Sequence, residues 1–297
     1  MAIVGAMCGG ISASITRALS DDGVQAERVN QFRFIGAFIV LALFLAATRP
    51  ALLRIPRRAW KPLFVAGLLG SFGTGLAYIL ALTLLPIATA QALIYTSPIM
   101  LLGVSSIIGR QWPPPVAAAT VAVAVGGCWL VVNASAGGSI DLLGVAMALT
   151  TAASFTAYVT IIGRLPVEVP TVSIVVTMFG VATATLAFVP YPIWTFPFAE
   201  TTGAQWLGLI GVMLLATLFP YLLFAGATLR VPGPVVGVCA TVEPVVAVIG
   251  AWVTLGQALT PTQIAGIVLV LCAATAAQLP GFTGARAAPP REPATGG

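Results

Sequence analysis

One carboxylate stands inside a run that otherwise excludes charge. In "CATVEPVVAVIGAWVTLGQALTP" (239-261), Glu243 is the single acid and Pro244 follows it. Two roles suit an acid so placed. Low-dielectric surroundings favour its neutral form, the condition for taking up and releasing a proton in place. Pro244, in turn, cannot donate to the carbonyl of Ala240, so a helix kinks there and leaves a backbone acceptor exposed. A protonated Glu243 that satisfies such an acceptor would be a polar clamp at the kink. Residue types alone leave both roles open, and Pro98 marks a second expected kink.

Hydroxyls and amides recur beside phenols at a spacing of four, which puts each pair on one helix face. The pairs are Thr74 with Tyr78, Gln91 with Tyr95, Ser154 with Tyr158 and Thr217 with Tyr221. Four such faces can wall a pocket for a polar solute with some apolar body. Hydrogen bonds between helices, or anchoring at an interface, explain any single pair equally well. Other chemistries drop out by count. The chain has no histidine, which removes Ser-His and Cys-His nucleophilic sites and HExxH zinc sites. No metal site and no cofactor is expected. Cys8, Cys128, Cys239 and Cys272 stand singly, without CxxC spacing, and read as buried free thiols. No phosphate-cradling loop opens a helix after a strand, so no nucleotide-driven motor is expected.

The elements that must position these groups follow from composition. Of 297 residues, 59% are hydrophobic and 7% charged, against about 25% charged in an average soluble domain. The apolar material is cut into stretches of about 20 residues, the length of a helix that crosses a hydrocarbon core. Spans are expected over 2-19, 31-48, 62-82, 87-108, 114-133, 142-162, 170-189, 205-224, 232-254 and 261-279. The first is read as a retained helix and not a cleaved signal. The Pro/Gly-rich stretch 280-297 reads as a disordered cytoplasmic tail.

The basic residues check that count. With ten spans and a cytoplasmic N-terminus, Arg49, Arg54, Arg57, Arg58, Lys61, Arg110, Arg164, Arg230, Arg286 and Arg291 fall inside, while Arg17, Arg28 and Arg33 fall outside. Ten against three obeys the retention of Lys and Arg on the cytoplasmic side. The net charge of +5 therefore reports topology, and nucleic acid is not an expected partner. Arg33, just inside the second span at the depleted side, either draws in a solute carboxylate at an outer gate or pairs with Asp21, Asp22 or Glu27. The ion pair is the favoured reading, and Arg17 faces the same choice. The small, weakly polar first span, with Ser12, Ser14 and Thr16, suits close helix packing better than a hydrophilic wall.

Internal repetition appears when 85-115 is laid over 231-261, a shift of 146 residues without a gap. Pro86, Pro98, Gln111 and Pro115 then fall on Pro232, Pro244, Gln257 and Pro261. An odd number of helices per half inverts the second half relative to the first. The expectation is an all-α membrane protein of ten transmembrane helices in two inverted five-helix repeats, 1-135 and 136-279. Counted from Pro232, eleven residues at about 1.5 Å place Glu243 about 16 Å deep, near the midplane.

A proline in the fourth span of each half, "EPV" in the ninth and "LGQALTPTQIAGIVLV" leading into the tenth resemble the drug/metabolite transporter superfamily, EamA type. The resemblance covers the chain to about residue 279. It implies an inner-membrane carrier with both termini cytoplasmic, many such carriers exporting amino acids or other small metabolites. In the family the turns after the fourth and ninth helices usually read Gly-Glu, and here they read Arg110-Gln111 and Gly256-Gln257. That departure puts in doubt any role of those acids in tying down the helix ends. The reading is a secondary carrier working by alternating access, not an enzyme, with a small-molecule substrate and the lipid bilayer as partners. Coupling is open between a proton and none. Glu243, Tyr78, Gln91, Tyr95, Tyr158, Tyr221 and Arg33 are the substrate- or proton-binding candidates. The alternatives are a non-transporting scaffold or sensor subunit, or a flippase for lipid-linked substrates.

Overall fold

The computed structural model describes residues 2–110, 112, 115–134, 141–162, 165, 169–188, 193–228, 243, 246, 253 and 259–276. Among them every regular element is helical. Lipid offers backbone groups no hydrogen bonds, so a chain this apolar is confined to structures that satisfy them internally.

Helix α1 runs over Ala2–Asp21, and Gly23, at φ +85°, turns the chain into α2, Ala26–Thr48. Prolines then mark most starts. Pro56, Pro86 and Pro170 each hold an extended conformation immediately before α3 (Arg57–Leu84), α4 (Ile87–Ile94) and α8 (Thr171–Leu186). The apolar stretch that holds α4 breaks at Tyr95–Thr96 and resumes as α5, Ser97–Gly109, with Pro98 in its first turn. Pro115–Ala134 forms α6 and Leu142–Ile162 forms α7. The eighth predicted span is a continuous α9 built from Gly203–Val212, Met213–Leu218 and Phe219–Thr228, opened by a capping box between Thr202 and Gln205. Pro261–Ala276 is α10. Ala26–Thr48, Arg57–Leu84, Leu142–Ile162 and Gly203–Leu223 are long and apolar enough to cross a membrane. The predicted span 232-254 lies outside the described residues except for Glu243, Val246 and Val253, and so do Pro244 and the tail.

Two departures bear on function. The second helix starts at Ala26 and not at 31, because Asn30 and Gln31 are fully buried with their amides bonded to backbone: Asn30 Nδ2 donates to the Ser71 carbonyl at 2.9 Å, and Gln31 Nε2 to that of Leu186 at 2.7 Å. In addition, α3 and α9 each contain a π-helical stretch, Leu69–Leu76 and Met213–Leu218. Such widened turns are rare and leave backbone groups to be satisfied from outside the helix.

The packing is reciprocal. α1 lies on α9 while α3 lies on α7. α2 meets α9 while α3 meets α8. α2 and α8 pack on each other, as do α6 and α10, and α4 and α5 pack on α7. The backbones of α6 and α10 approach so closely that a Cβ on Gly127 would sit 2.9 Å from the Gly266 carbonyl oxygen. Most hydroxyls are absorbed within their own helix: Thr48, Thr120, Thr151, Thr160 and Thr177 each donate to the carbonyl four residues back. Ile39, Val40, Leu43, Phe44, Trp60 and Trp129 face outward, the arrangement of a protein whose surrounding solvent is lipid. Two of the four cysteines need a correction. Cys8 and Cys272 are free, but Cys8 is only half-buried and Cys272 is exposed on the outer face of α10, because single apolar positions on a span face lipid as readily as protein.

Candidate functional site

Glu243 is partly buried and meets two helices of the other half of the chain. Its Oε2 accepts a hydrogen bond from the Tyr95 phenol at 3.2 Å. On its other side lies Gly9 of α1: a Cβ built there would stand 2.9 Å from Glu243 Cδ and 3.0 Å from Oε1. The carboxyl thus fills the space that a side chain at position 9 would take. Gly9 also accepts, through its carbonyl, a 2.6 Å bond from Ser12 Oγ. Tyr95 reaches Glu243 because α4 ends there, Tyr95 and Thr96 leaving the helical path before Pro98 opens α5.

The other predicted residues gather around that contact. Gln91 Nε2 donates to the Tyr78 phenol at 3.3 Å, linking α4 to α3. Tyr78, Tyr95 and Tyr221 all lie within electrostatic reach of Glu243. The Tyr221 phenol on α9 faces the side chain of Thr74 on α3, and its ring lies edge-on to Phe179 at 5.2 Å between centroids. Tyr158 on α7 is more peripheral: it interacts with Tyr221, and its ring lies 6.0 Å from that of Phe155. Ser154, its predicted companion, is pressed against Gly73 of α3. The four hydroxyl-phenol pairs are therefore divided among different neighbours, partly because Thr74 and Thr217 fall within the π-helical stretches, where a spacing of four no longer measures one turn.

Arg33 requires a correction. It makes no ion pair among the described residues and is 5% exposed. Its guanidinium lies over the rings of Phe34, at 4.8 Å, and Tyr78, at 6.0 Å, and Nη2 makes a long 3.5 Å contact to the Thr74 carbonyl. The early start of α2 turns Arg33 into the bundle and away from the loop that carries Asp22. Arg17 does take the predicted pair, with Asp21 at 3.2 Å, while Nη1 donates to the carbonyls of Leu82 and Thr83.

Sequence reasoning missed Gly9 and the π-helical carbonyls. The only signal for Gly9 was a run of small residues, which reads as packing. A cleft of about 550 Å³ between α3 and α7 is lined by Leu68, Phe72, Leu76, Leu80 and Met147, with Thr150 and Ser154 as its hydroxyls. It carries no charge and lies apart from the Glu243 contact.

Comparison with known proteins bears on the whole assembly. The model of the EamA-like transporter family matches residues 1–133 and 142–277. The threonine/homoserine exporter RhtA of Salmonella typhimurium (strain SL1344) is 31% identical over 277 residues, covering 91% of this chain and 84% of that protein. RhtA of Escherichia coli (strain K12) is 30% identical, covering 91% and 85%. A solved crystal structure superposes with a TM-score of 0.59 at 20% identity over 92% of this chain and 94% of that one, a likeness of fold alone. A family match over both halves, on a chain whose described regular elements are all helical and include apolar helices of membrane-crossing length, leaves one assignment: the chain belongs to the EamA-like transporter family of the drug/metabolite transporter superfamily, a multi-pass membrane transporter and not an enzyme.

Proposed function

We propose that the chain is a secondary carrier that exports amino acids or similar small metabolites across the inner membrane by alternating access. The substrate class follows from the relatives, which are named for threonine and homoserine export. The architecture proposed is ten helices in two inverted repeats, 1-135 and 136-279, with a cytoplasmic tail and a cytoplasmic N-terminus. Reciprocal packing supports it. If α1, α2 and α3 correspond to α7, α8 and α9, a two-fold relation turns each of the contacts α1 on α9 and α2 on α9 into another that is present, α7 on α3 and α8 on α3. The π-helical stretch Leu69–Leu76, moved forward by the 146-residue shift, overlaps Met213–Leu218.

The observation that carries the functional reading is the Tyr95–Glu243 bond at 3.2 Å beside Gly9. An acid from one half, held between two helices of the other and surrounded by phenols, is placed where a relative movement of the halves must break or remake its contacts. Glu243, Tyr78, Gln91, Tyr95 and Tyr221 are proposed to line the solute path, with Tyr158 at its margin and a proton as the coupling partner on Glu243. The flippase alternative would require polar groups for a headgroup, and the cleft between α3 and α7 has only two hydroxyls.

The test uses purified protein in liposomes. Glu243→Gln is expected to insert normally and to lose either most of its transport or its dependence on pH between about 5 and 8. Transport by that variant at the unmodified rate across the range would end the assignment of Glu243. A metabolite screen comparing efflux from cells with and without the protein tests the substrate class directly.

A further inference from the structure

We propose that Arg33 binds the carboxylate of the transported solute, so that Arg33 and Glu243 form opposite ends of a site for a zwitterionic α-amino acid. The inference rests on the export reading above and adds to it the residue that recognises the acid group.

A buried guanidinium calls for partners for its five N–H donors. The other two arginines at this end of the molecule have them. Arg17 is paired with Asp21 and bonded to two carbonyls, and Arg28 donates to Gln31 Oε1 at 3.3 Å and Thr195 Oγ1 at 2.9 Å. Arg33 is more deeply buried than either, yet among the described residues its Nε has no hydrogen-bond partner, and its one bond there is the 3.5 Å contact to the Thr74 carbonyl. Two aromatic rings flank the guanidinium, and the unpartnered Nε lies on its donor edge. An edge of paired N–H groups matches a carboxylate better than any other small anionic group of a metabolite except a phosphate.

The surroundings select between those two. Tyr78 and Tyr221 interact with both Arg33 and Glu243, so the two charges share the same pair of phenols and bound one region. On α4, Gln91, bonded to the Tyr78 phenol through Nε2, has its Oε1 buried without a partner among the described residues, and on α9 so does Thr217 Oγ1. A phosphate would meet one cation and an acid. An α-amino acid meets a donor edge for its carboxylate and, at Glu243 and Gln91, acceptors for its ammonium. On binding, the carboxylate takes the guanidinium from the Thr74 carbonyl. That carbonyl belongs to the π-helical stretch of α3, whose neighbouring Ser71 carbonyl stays bonded to Asn30.

The experiment compares threonine with threoninol, its analogue lacking the carboxylate, in liposomes containing the unmodified protein, Arg33→Gln or Arg33→Lys. The unmodified protein is expected to favour threonine by about tenfold or more. Arg33→Gln should lower threonine transport by about tenfold, mainly through KM, and leave threoninol unchanged, abolishing the preference. Arg33→Lys keeps a charge but loses the planar fork, so it should raise the KM for threonine alone. It also covers the case in which the glutamine variant does not reach the membrane. Threonine transport by Arg33→Gln at the unmodified KM, or equal loss of both solutes in either variant, would overturn the inference while leaving the export reading in place. If the unmodified protein moved no amino acid at all, the export reading would fall and this inference with it.

Discussion

Gly9→Ala tests the geometry at Glu243 without touching any ionisable group. The added Cβ would stand 2.9 Å from Glu243 Cδ, 3.0 Å from Oε1 and 3.2 Å from Cγ. Carbon atoms pack at about 3.5 to 4.0 Å, so the carboxyl must retreat by about 0.6 Å or more. The end of a flexible side chain can make that movement, and α1 itself should therefore fold. Indeed, replacing a mid-helix Gly by Ala favours the helix by about 1 kcal/mol, which offsets much of the crowding. The Tyr95 bond has no such reserve. At 3.2 Å it already exceeds the usual span of about 2.5 to 3.0 Å for an O–H donor to oxygen. Losing that hydrogen bond costs about 1 to 1.5 kcal/mol, roughly five- to tenfold in an equilibrium or a rate.

The expected result is a protein that inserts, melts at or above the unmodified temperature in detergent, and transports about five- to tenfold more slowly. Gly103→Ala and Gly126→Ala serve as controls, because a Cβ at either position meets nothing within 4 Å. Both should transport normally. If Gly9→Ala transported at the unmodified rate with the same pH profile, the carboxyl would not depend on that wall, and the reasoning from Gly9 to the site would be refuted.

Tyr95→Phe removes the same bond from the other side and should lower transport about fivefold with insertion unchanged, measured in the same liposomes. Gly67→Ala should act on stability alone: its Cβ would stand 2.6 Å from Val181 Cβ and 3.2 Å from the Met178 carbonyl oxygen. Neither neighbour can swing aside, so a loss of about 1 to 3 kcal/mol is expected, read as a lower melting temperature. Arg110→Gly should do the reverse. Arg110 closes α5 at φ 49°, in the left-handed region, and glycine there relieves about 1 kcal/mol of strain.

How far the sequence disclosed this arrangement depends on which solvent each residue meets. Helix positions were legible because lipid leaves an apolar segment few alternatives, and the starts of α4 and α8, just after Pro86 and Pro170, fell where expected, whereas α3 begins at Arg57, behind Pro56, and not at 62. Nor was the start of α2 legible. "QAERVNQ" is polar enough to pass for a loop, but Asn30 and Gln31 are buried against carbonyls of α3 and α8 whose positions no local pattern contains. The same shift misplaced Arg33, since an arginine expected beside acids in a loop instead turned inward over Phe34 and Tyr78. Glu243 could be singled out by composition alone. Its partner Tyr95 was proposed for sharing a face with Gln91, yet the two residues serve different neighbours, Glu243 and Tyr78. The π-helical stretches of α3 and α9 have no residue signature, and they separate two of the four expected pairs, Thr74 from Tyr78 and Thr217 from Tyr221.

If the halves are repeats, as proposed, why does only one of them carry the acid? Under the 146-residue shift, Glu243 corresponds to Ser97, and Ser97 meets α7 through its carbonyl, which accepts a 3.1 Å bond from Thr156 Oγ1. The contact that Glu243 makes with α1 through a titratable group is thus made in the other half by neutral groups of fixed polarity. Two identical halves would give the bundle two equivalent charged contacts, whose costs of burial would largely cancel as the halves exchange positions. With an acid in one half and Arg33 in the other, each charge is unbalanced alone, and a solute bearing both signs compensates both at once. On the proposed reading this asymmetry makes passage conditional on the solute. Either charge could be neutralised singly, as in Glu243→Gln or Arg33→Gln, and each change should relax selectivity at one end of the solute only. A variant in which both ends lost selectivity together would show that the two groups do not bound a common site.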